Sequence, residues 1–296
     1  MLRHHGRYPY AAIVDRPDFS WPEGKRLAVY VAVNLECFAF GEGAGATLTP
    51  EKPEPDVLNY SWRDYGNRVG VWRMLGLFDE LDLPSTALIN TEMYTQAPRV
   101  AQAFRERGDE IAAHGRTNAE KQGQMSEGDE AALIAEATQT IERAEGKAPK
   151  GWLGPWISES EVTPDLLQEA GYDYLLDWAH DDQPVWMKTR QGHILAVPYP
   201  QELNDIPQIV NRQREGRMFA DMILDAYATL KAESDARPLV MGIALHPYIM
   251  GQAHRFPHLA MALRQLRERA DERVWFTTAG AISDHFRSVM PYEEVD

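Results

Sequence analysis

Short apolar runs recur along the chain, and four of them end on a side chain that can hold or move a proton. Residues 27–35 run into Glu36, 110–113 into His114, 174–176 into Asp177 and 239–245 into His246. Runs at 85–90, 194–198 and 274–278, and a strand end at Gly151-Trp152, read as further buried strands. Between them lie segments with helical spacing at 66–81, 97–107, 126–145, 163–170, 218–232 and 258–270. In the first of these, Val69, Trp72, Leu75, Leu77 and Phe78 make the apolar stripe. Strands alternating with helices predict parallel βαβ units and an α/β fold. Residues 1–24 read as an arm without helical or strand period, and 41–64, rich in Gly and Pro, as a long loop. No repeat or linker interrupts the pattern, so one domain over 1–296 is expected. In a parallel barrel all strand exits share one rim, which would bring Glu36, His114, Asp177 and His246 together.

Charge and cysteine content narrow the classes. Lys+Arg of 30 against Asp+Glu of 45 gives a net charge of -15, opposite to what nucleic acid or an anionic membrane rewards. The single cysteine, Cys37, leaves no disulfide framework and suits a reducing compartment. No apolar segment reaches the ~20 residues of a membrane helix, and the first fifteen residues show no leader pattern, so the cytoplasm is expected. The arm's aromatic and proline content predicts that it packs on something, with a homo-oligomer as the expected state.

The exits suggest chemistry on a small-molecule substrate. Glu36 leaves a buried strand, where burial raises a carboxylate pKa, and is the expected general base. His114 and His246 are expected to orient water and stabilise an oxyanion. Arg116 is either a clamp for an anionic substrate group or the partner of a neighbouring carboxylate. Trp156 and Trp178 read either as pocket walls or as packing; Asp177 and Asp182 read as substrate contacts, with Asp182 alternatively in a solvated turn. Cys37 is either a nucleophile beside His114 or a small buried hydrophobe.

In order along the chain, Asn34-Leu35-Glu36-Cys37, His114-Gly115-Arg116-Thr117-Asn118, Leu153-Gly154-Pro155-Trp156 and Ile243-Ala244-Leu245-His246-Pro247 resemble the motifs of the polysaccharide deacetylase (NodB-like) family. The resemblance covers about residues 20–285 and implies a distorted, incomplete (β/α) barrel. In that family's metal-dependent members an aspartate and two histidines hold the ion. Cys37 and Asn118 occupy two of those places here, and only His114 remains. The chain is more similar to the metal-independent allantoinase branch, through Trp21-Pro22, Tyr65 to Arg73, Asp181 to Pro184, Val197-Pro198-Tyr199 and Asn204-Asp205. It departs from that branch at Glu36-Cys37, where a Glu-Glu pair is usual. The resemblance implies hydrolysis of a C–N bond in a small amide such as a ureide, by water that Glu36 and the histidines activate, with no cofactor required. Asn118 is then a substrate contact. The alternatives are a metal-dependent deacetylase of N-acetylated carbohydrate, with zinc on His114 and Glu36 or Cys37, and a non-catalytic ligand-binding relative.

Overall fold

The computed structural model describes residues 3–49 and 54–292. In chain order the strands and helices are β1 (Leu27–Leu35), α1 (Val57–Tyr65), α2 (Val71–Glu80), β2 (Ser85–Ile89), α3 (Met93–Gln96), α4 (Pro98–Arg107) and β3 (Glu110–Ala113). There follow α5 (Glu127–Glu145), β4 (Gly151–Trp152), α6 (Thr163–Glu169), β5 (Tyr174–Leu175), β6 (Val185–Thr189), β7 (Gly192–Ala196) and α7 (Gly216–Glu233). The chain closes with β8 (Leu239–Leu245), α8 (Phe256–Glu268), β9 (Val274–Thr277) and α9 (Ala279–Val289). The sheet runs β6-β7-β5-β4-β3-β2-β1-β8, with β9 also on β1, and every pairing except the β6–β7 hairpin is parallel. Between the two ends of this curled sheet lie an isolated bridge from Asn204 to Ala244 and the bond from Val240 N–H to Asp182 O rather than a paired strand, so the barrel is incomplete, as the resemblance implied. No helix among the described residues is long and apolar enough to cross a membrane.

Side-chain parity divides the core in two. On β1, Leu27, Val29, Val31, Val33 and Leu35 face the surrounding helices, while Ala28, Tyr30 and Ala32 face the inside of the curl. The same alternation puts Leu88, Ala112, Leu195, Val240 and Ala244 inside. Trp21 and the α9 residues Ala279, Ile282 and Phe286 join this inner layer. The start of α9 is tied to the inner strands by Ala279 N–H to Thr86 Oγ1 (2.9 Å) and Gly280 N–H to Glu110 Oε2 (2.8 Å). With this end filled by packing, the open space of the curl lies at the carboxyl ends of the strands.

Four elements depart from the sequence pattern. The expected loop at 41–64 ends in α1, which runs through a π turn (Gly66–Gly70) into α2. That helix buries Asn59 and Arg63 rather than an apolar stripe, so periodicity gave no sign of it; its N-cap is Asp56, whose carboxylate accepts from Asn59 N–H at 3.1 Å. The half-buried hairpin strand β6 and the helix α9, capped by Thr278, also escaped the pattern. The expected strand at 174–178 pairs only over Tyr174–Leu175, because Asp177 turns aside to accept Gly154 N–H at 2.8 Å. The arm packs on its own domain: Arg7 forks onto Asp165 (2.6 and 2.7 Å), Arg16 binds Asp181, and the buried Trp21 donates to Leu239 O at 3.0 Å.

Candidate active site

Parity carries past the last residue of each inner strand. Glu36 continues the series 28, 30, 32, 34 on β1; His114 follows Ala112 on β3; His246 follows Ala244 on β8. All three therefore end on the inner face at the carboxyl rim. His114 Nε2 and His246 Nε2 lie 3.5 and 3.4 Å from the same atom, Glu36 Oε1. Asn118 Nδ2 donates to that oxygen at 2.7 Å and the Tyr248 hydroxyl donates to Oε2 at 3.2 Å. Asn90, at the exit of β2, accepts Cys37 N–H (2.9 Å) and donates to the His114 carbonyl, so one amide fixes both neighbouring exits. His246 is anchored twice by Asp205, through Nδ1 to Oδ1 at 2.6 Å and through its backbone N–H to Oδ2 at 2.8 Å.

The charges in this cluster are set by its imidazoles. Burial pushes the Glu36 carboxyl upward, but the charge of His246 and the two imidazoles within 3.5 Å of Oε1 bring it down to about 2. Burial pulls His246 down, yet Glu36 and Asp205 lift it to about 10. The expectation of a raised Glu36 pKa is thus reversed: two imidazoles against one carboxylate outweigh desolvation. His246 is an imidazolium at neutral pH and Glu36 a carboxylate. His114 Nδ1 lies 2.7 Å from Leu153 O. A carbonyl only accepts, so Nδ1 carries a hydrogen, and Nε2 is the ring atom turned toward Glu36.

The trio opens into a cavity of about 340 Å³. Its walls include Gly45, Ala46 and Thr47 from the loop after β1, Trp156 and Ile157 after β4, and a flap at Ile206, Pro207, Val210 and Asn211. Arg63 holds the first loop from behind, beneath Gly45, where a Cβ would meet its guanidinium at 1.4 Å. Trp156 and Ile157 have φ of 64° and 53°, a left-handed backbone that strains residues with a side chain and that clusters at functional sites. The Trp156 indole donates to Asn118 O at 2.8 Å, tying the strained turn to the residue that holds Glu36.

Glu36, His114, Asn118, Trp156 and His246 line this cavity; four other candidates do not. Arg116 is paired with Glu120 (3.0 Å) and Glu136 (2.9 Å), the neighbouring-carboxylate alternative. Asp177 lies beneath the Gly154 turn. Trp178 donates to Glu159 at 2.8 Å and packs against His5 and Tyr8 of the arm. Asp182 is an exposed residue whose carbonyl accepts Val240 N–H at 2.8 Å. Sequence reasoning gave no role to Asp205, Tyr248 or Gln201. Asn204-Asp205 stood out as a motif, but nothing local linked it to a histidine 41 positions away.

The donor set does not fit a zinc ion. Zinc requires Cys37 as thiolate, and burial with the nearby Glu92, Asp64 and Glu36 pushes that thiol up to about 12. Cys37 lines a separate cavity with Glu92 and Asp64. Asn118 turns its NH₂, not its oxygen, toward the centre of the site. Among the described residues no three His, Cys, Asp or Glu side chains are arranged to hold an ion.

The chain is similar to several known proteins. Residues 54–175 match the family model for polysaccharide deacetylase. The crystal structure of Puue allantoinase superposes with a TM-score of 0.84 and 28% identity, over 97% of this chain and 99% of that one. A putative polysaccharide deacetylase of Schizosaccharomyces pombe is 26% identical across 92% of this chain and 94% of its own length. A peptidoglycan deacetylase of Helicobacter pylori is 28% identical across 77% of this chain and 87% of its own. Residues 54–175 are thus similar to the polysaccharide deacetylase family, and the fold as a whole is similar to that of the allantoinase. These relatives are named as deacetylases and an allantoinase.

Proposed function

We propose that the chain hydrolyses the amide bond of a small, cyclic, uncharged substrate of the ureide type, without a metal. The observation that carries this reading is a cavity of about 340 Å³ in which an imidazolium, a carboxylate and a second imidazole converge and which no lysine or arginine lines among the described residues. Its volume suits a small ring, and an anionic substrate would need a fixed cation. The attacking water is bound from the cavity side by Glu36 Oε1 and His114 Nε2. The oxygen attacks the amide carbon and its proton passes to Nε2, with the Glu36 carboxylate stabilising the new imidazolium. Glu36 is the poorer acceptor, because its affinity for a proton is depressed. His246 Nε2–H donates to the developing oxyanion, then protonates the departing nitrogen as the C–N bond breaks. Asp205 keeps that imidazole charged and oriented.

The H. pylori relative favours a second reading, removal of the acetyl group from an N-acetylated sugar by the same three groups. A turnover screen of purified protein against hydantoins, linear and cyclic ureides and N-acetylglucosamine oligomers separates the two. Hydrolysis confined to the cyclic amides is expected, and hydrolysis confined to the sugars overturns the proposal.

A further inference from the structure

Three polar atoms on the wall of the cavity are buried without a partner: His114 Nε2, Asn118 Oδ1 and Gln201 Nε2. The first is the proton acceptor of the proposed reaction. The other two have no part in it. Buried polar groups are nearly always satisfied, and an orphan beside a cavity points to something the cavity receives. The orientation of Asn118 is not free, since a carboxylate can only accept. Its NH₂ must face Glu36, which leaves Oδ1 as a fixed acceptor. Gln201 follows the inward-facing Tyr199 on the segment that closes the gap in the barrel, and presents a donor.

We propose that Asn118 and Gln201 determine specificity by reading the donor–acceptor edge of a cyclic amide, N–H to Asn118 Oδ1 and C=O to Gln201 Nε2. A ring holds its amide cis, so N–H and C=O lie on one edge; the trans N-acetyl group of a sugar points them in opposite directions. The cavity adds apolar surface from Trp156, Ile206 and Pro207. The one cation in it, His246, is balanced by Glu36 and Asp205, so nothing calls for charge on the ligand. Because Asn118 also holds Glu36, reading the ring N–H places the substrate against the reacting groups.

The inference rests on the cyclic-amide reading, and the test separates the two. Binding of hydantoin, 1-methylhydantoin, 3-methylhydantoin and N-acetylglucosamine is measured by calorimetry on the full chain, with the Gln201→Leu and Gln201→Glu variants alongside. One of the two methyl isomers should bind at least about tenfold more weakly than hydantoin, because its methyl group removes the donor that Asn118 reads. Gln201→Leu should weaken hydantoin by about tenfold while keeping the difference between the isomers; Gln201→Glu, which loses the donor and adds charge, should weaken it further. If both methyl isomers match hydantoin, or hydantoin binds Gln201→Leu as tightly as wild type, the inference fails and the cyclic-amide reading stands. If N-acetylglucosamine binds and no hydantoin does, or if none of the four binds, both fail.

Discussion

Two groups of buried carboxylates lie on either side of the Gly154–Ile157 turn, and they behave in opposite ways. On one side Glu36 is held at about 2; on the other, Asp177 is raised well above the usual carboxylate range and Glu159 to about 7. Burial acts on all three in the same direction, upward. The difference is in their company. Glu36 faces two imidazoles, an asparagine NH₂ and a tyrosine hydroxyl. Asp177 has the Gly154 N–H and Glu159 has the Trp178 indole, and the other oxygen of each lacks a partner. Each also feels the acids beside it, Glu159 and Glu130 for Asp177, and Glu130 for Glu159. A buried carboxylate therefore marks a reactive site only when its neighbours keep it charged; the Asp177 group, pushed upward by burial and neighbouring acids, supports the turn.

The sharpest way to break this comparison is to neutralise one carboxylate on each side. Glu36→Gln keeps the shape but removes the charge that positions water and stabilises both imidazolium ions. It should lower kcat on a cyclic amide by about 10²–10⁴. Asp177→Asn keeps the oxygen that accepts Gly154 N–H and lies outside the cavity, so kcat should stay within about threefold. Comparable losses in the two variants would show that the two groups do not differ in role.

Next in size is the effect on acid–base balance. Asp205 raises His246, so Asp205→Asn should lower the imidazole's pKa. Activity that needs the imidazolium declines as pH rises through that pKa, and the alkaline limb of kcat/KM should shift to lower pH, with about a tenfold loss at pH 9. An unmoved alkaline limb would mean that His246 is not the proton donor.

The rim was legible because two regularities coincide in the sequence: apolar runs that end in Glu36, His114 and His246, and the alternation along each strand that decides which face those ends take. Parity also separates Glu36 from Cys37, which lies one position out of phase and lines another cavity. Asp177 matched the same pattern, but its strand stops pairing after Leu175, and the residue serves a turn. Helix α1 and the partnership of Asp205 with His246 could not be read. The first buries polar side chains, so it has no apolar period; the second joins residues far apart in sequence through a gap in the barrel. Local pattern predicts where a strand delivers a side chain, not which distant carboxylate meets it. The sign of the Glu36 shift shows the same limit, since it depends on two imidazoles from other strands.

Stability against pH gives a smaller and independent test. The folded-state pKa of Glu159 lies above its unfolded value, so between about 4.5 and about 7 the folded chain holds more protons than the unfolded one. The Glu159 contribution to stability should therefore fall as pH rises through that window. Glu159→Gln, which still accepts from Trp178, should lack this decline and be more stable than wild type at pH 8, by on the order of 1–3 kcal/mol. Denaturant titrations at pH 4.5 and pH 8 measure it. A decline of the same size in the variant would show that Glu159 is not the group responsible.

The smallest expected effect is that of a chelator. In a zinc hydrolase the ion lowers the pKa of bound water, and removing it abolishes turnover. In this chain the base and the acid of the proposed reaction are both side chains. Where related enzymes place an ion, Asn118 directs N–H toward a carboxylate, an arrangement a cation would have to break, and the Cys37 thiol is kept protonated well above neutral pH. Prolonged treatment with dipicolinate followed by gel filtration should leave kcat on a cyclic amide unchanged, and added zinc should not raise it. Asn118→His tests the same point from the other direction. It restores the second histidine but leaves Cys37 in place of the aspartate, and it removes the Asn118 bond to Glu36. Activity should therefore fall and zinc should not rescue it. Loss of wild-type activity on chelation, restored by stoichiometric zinc, would overturn the metal-independent reaction and with it the assignment of His114 as the proton acceptor.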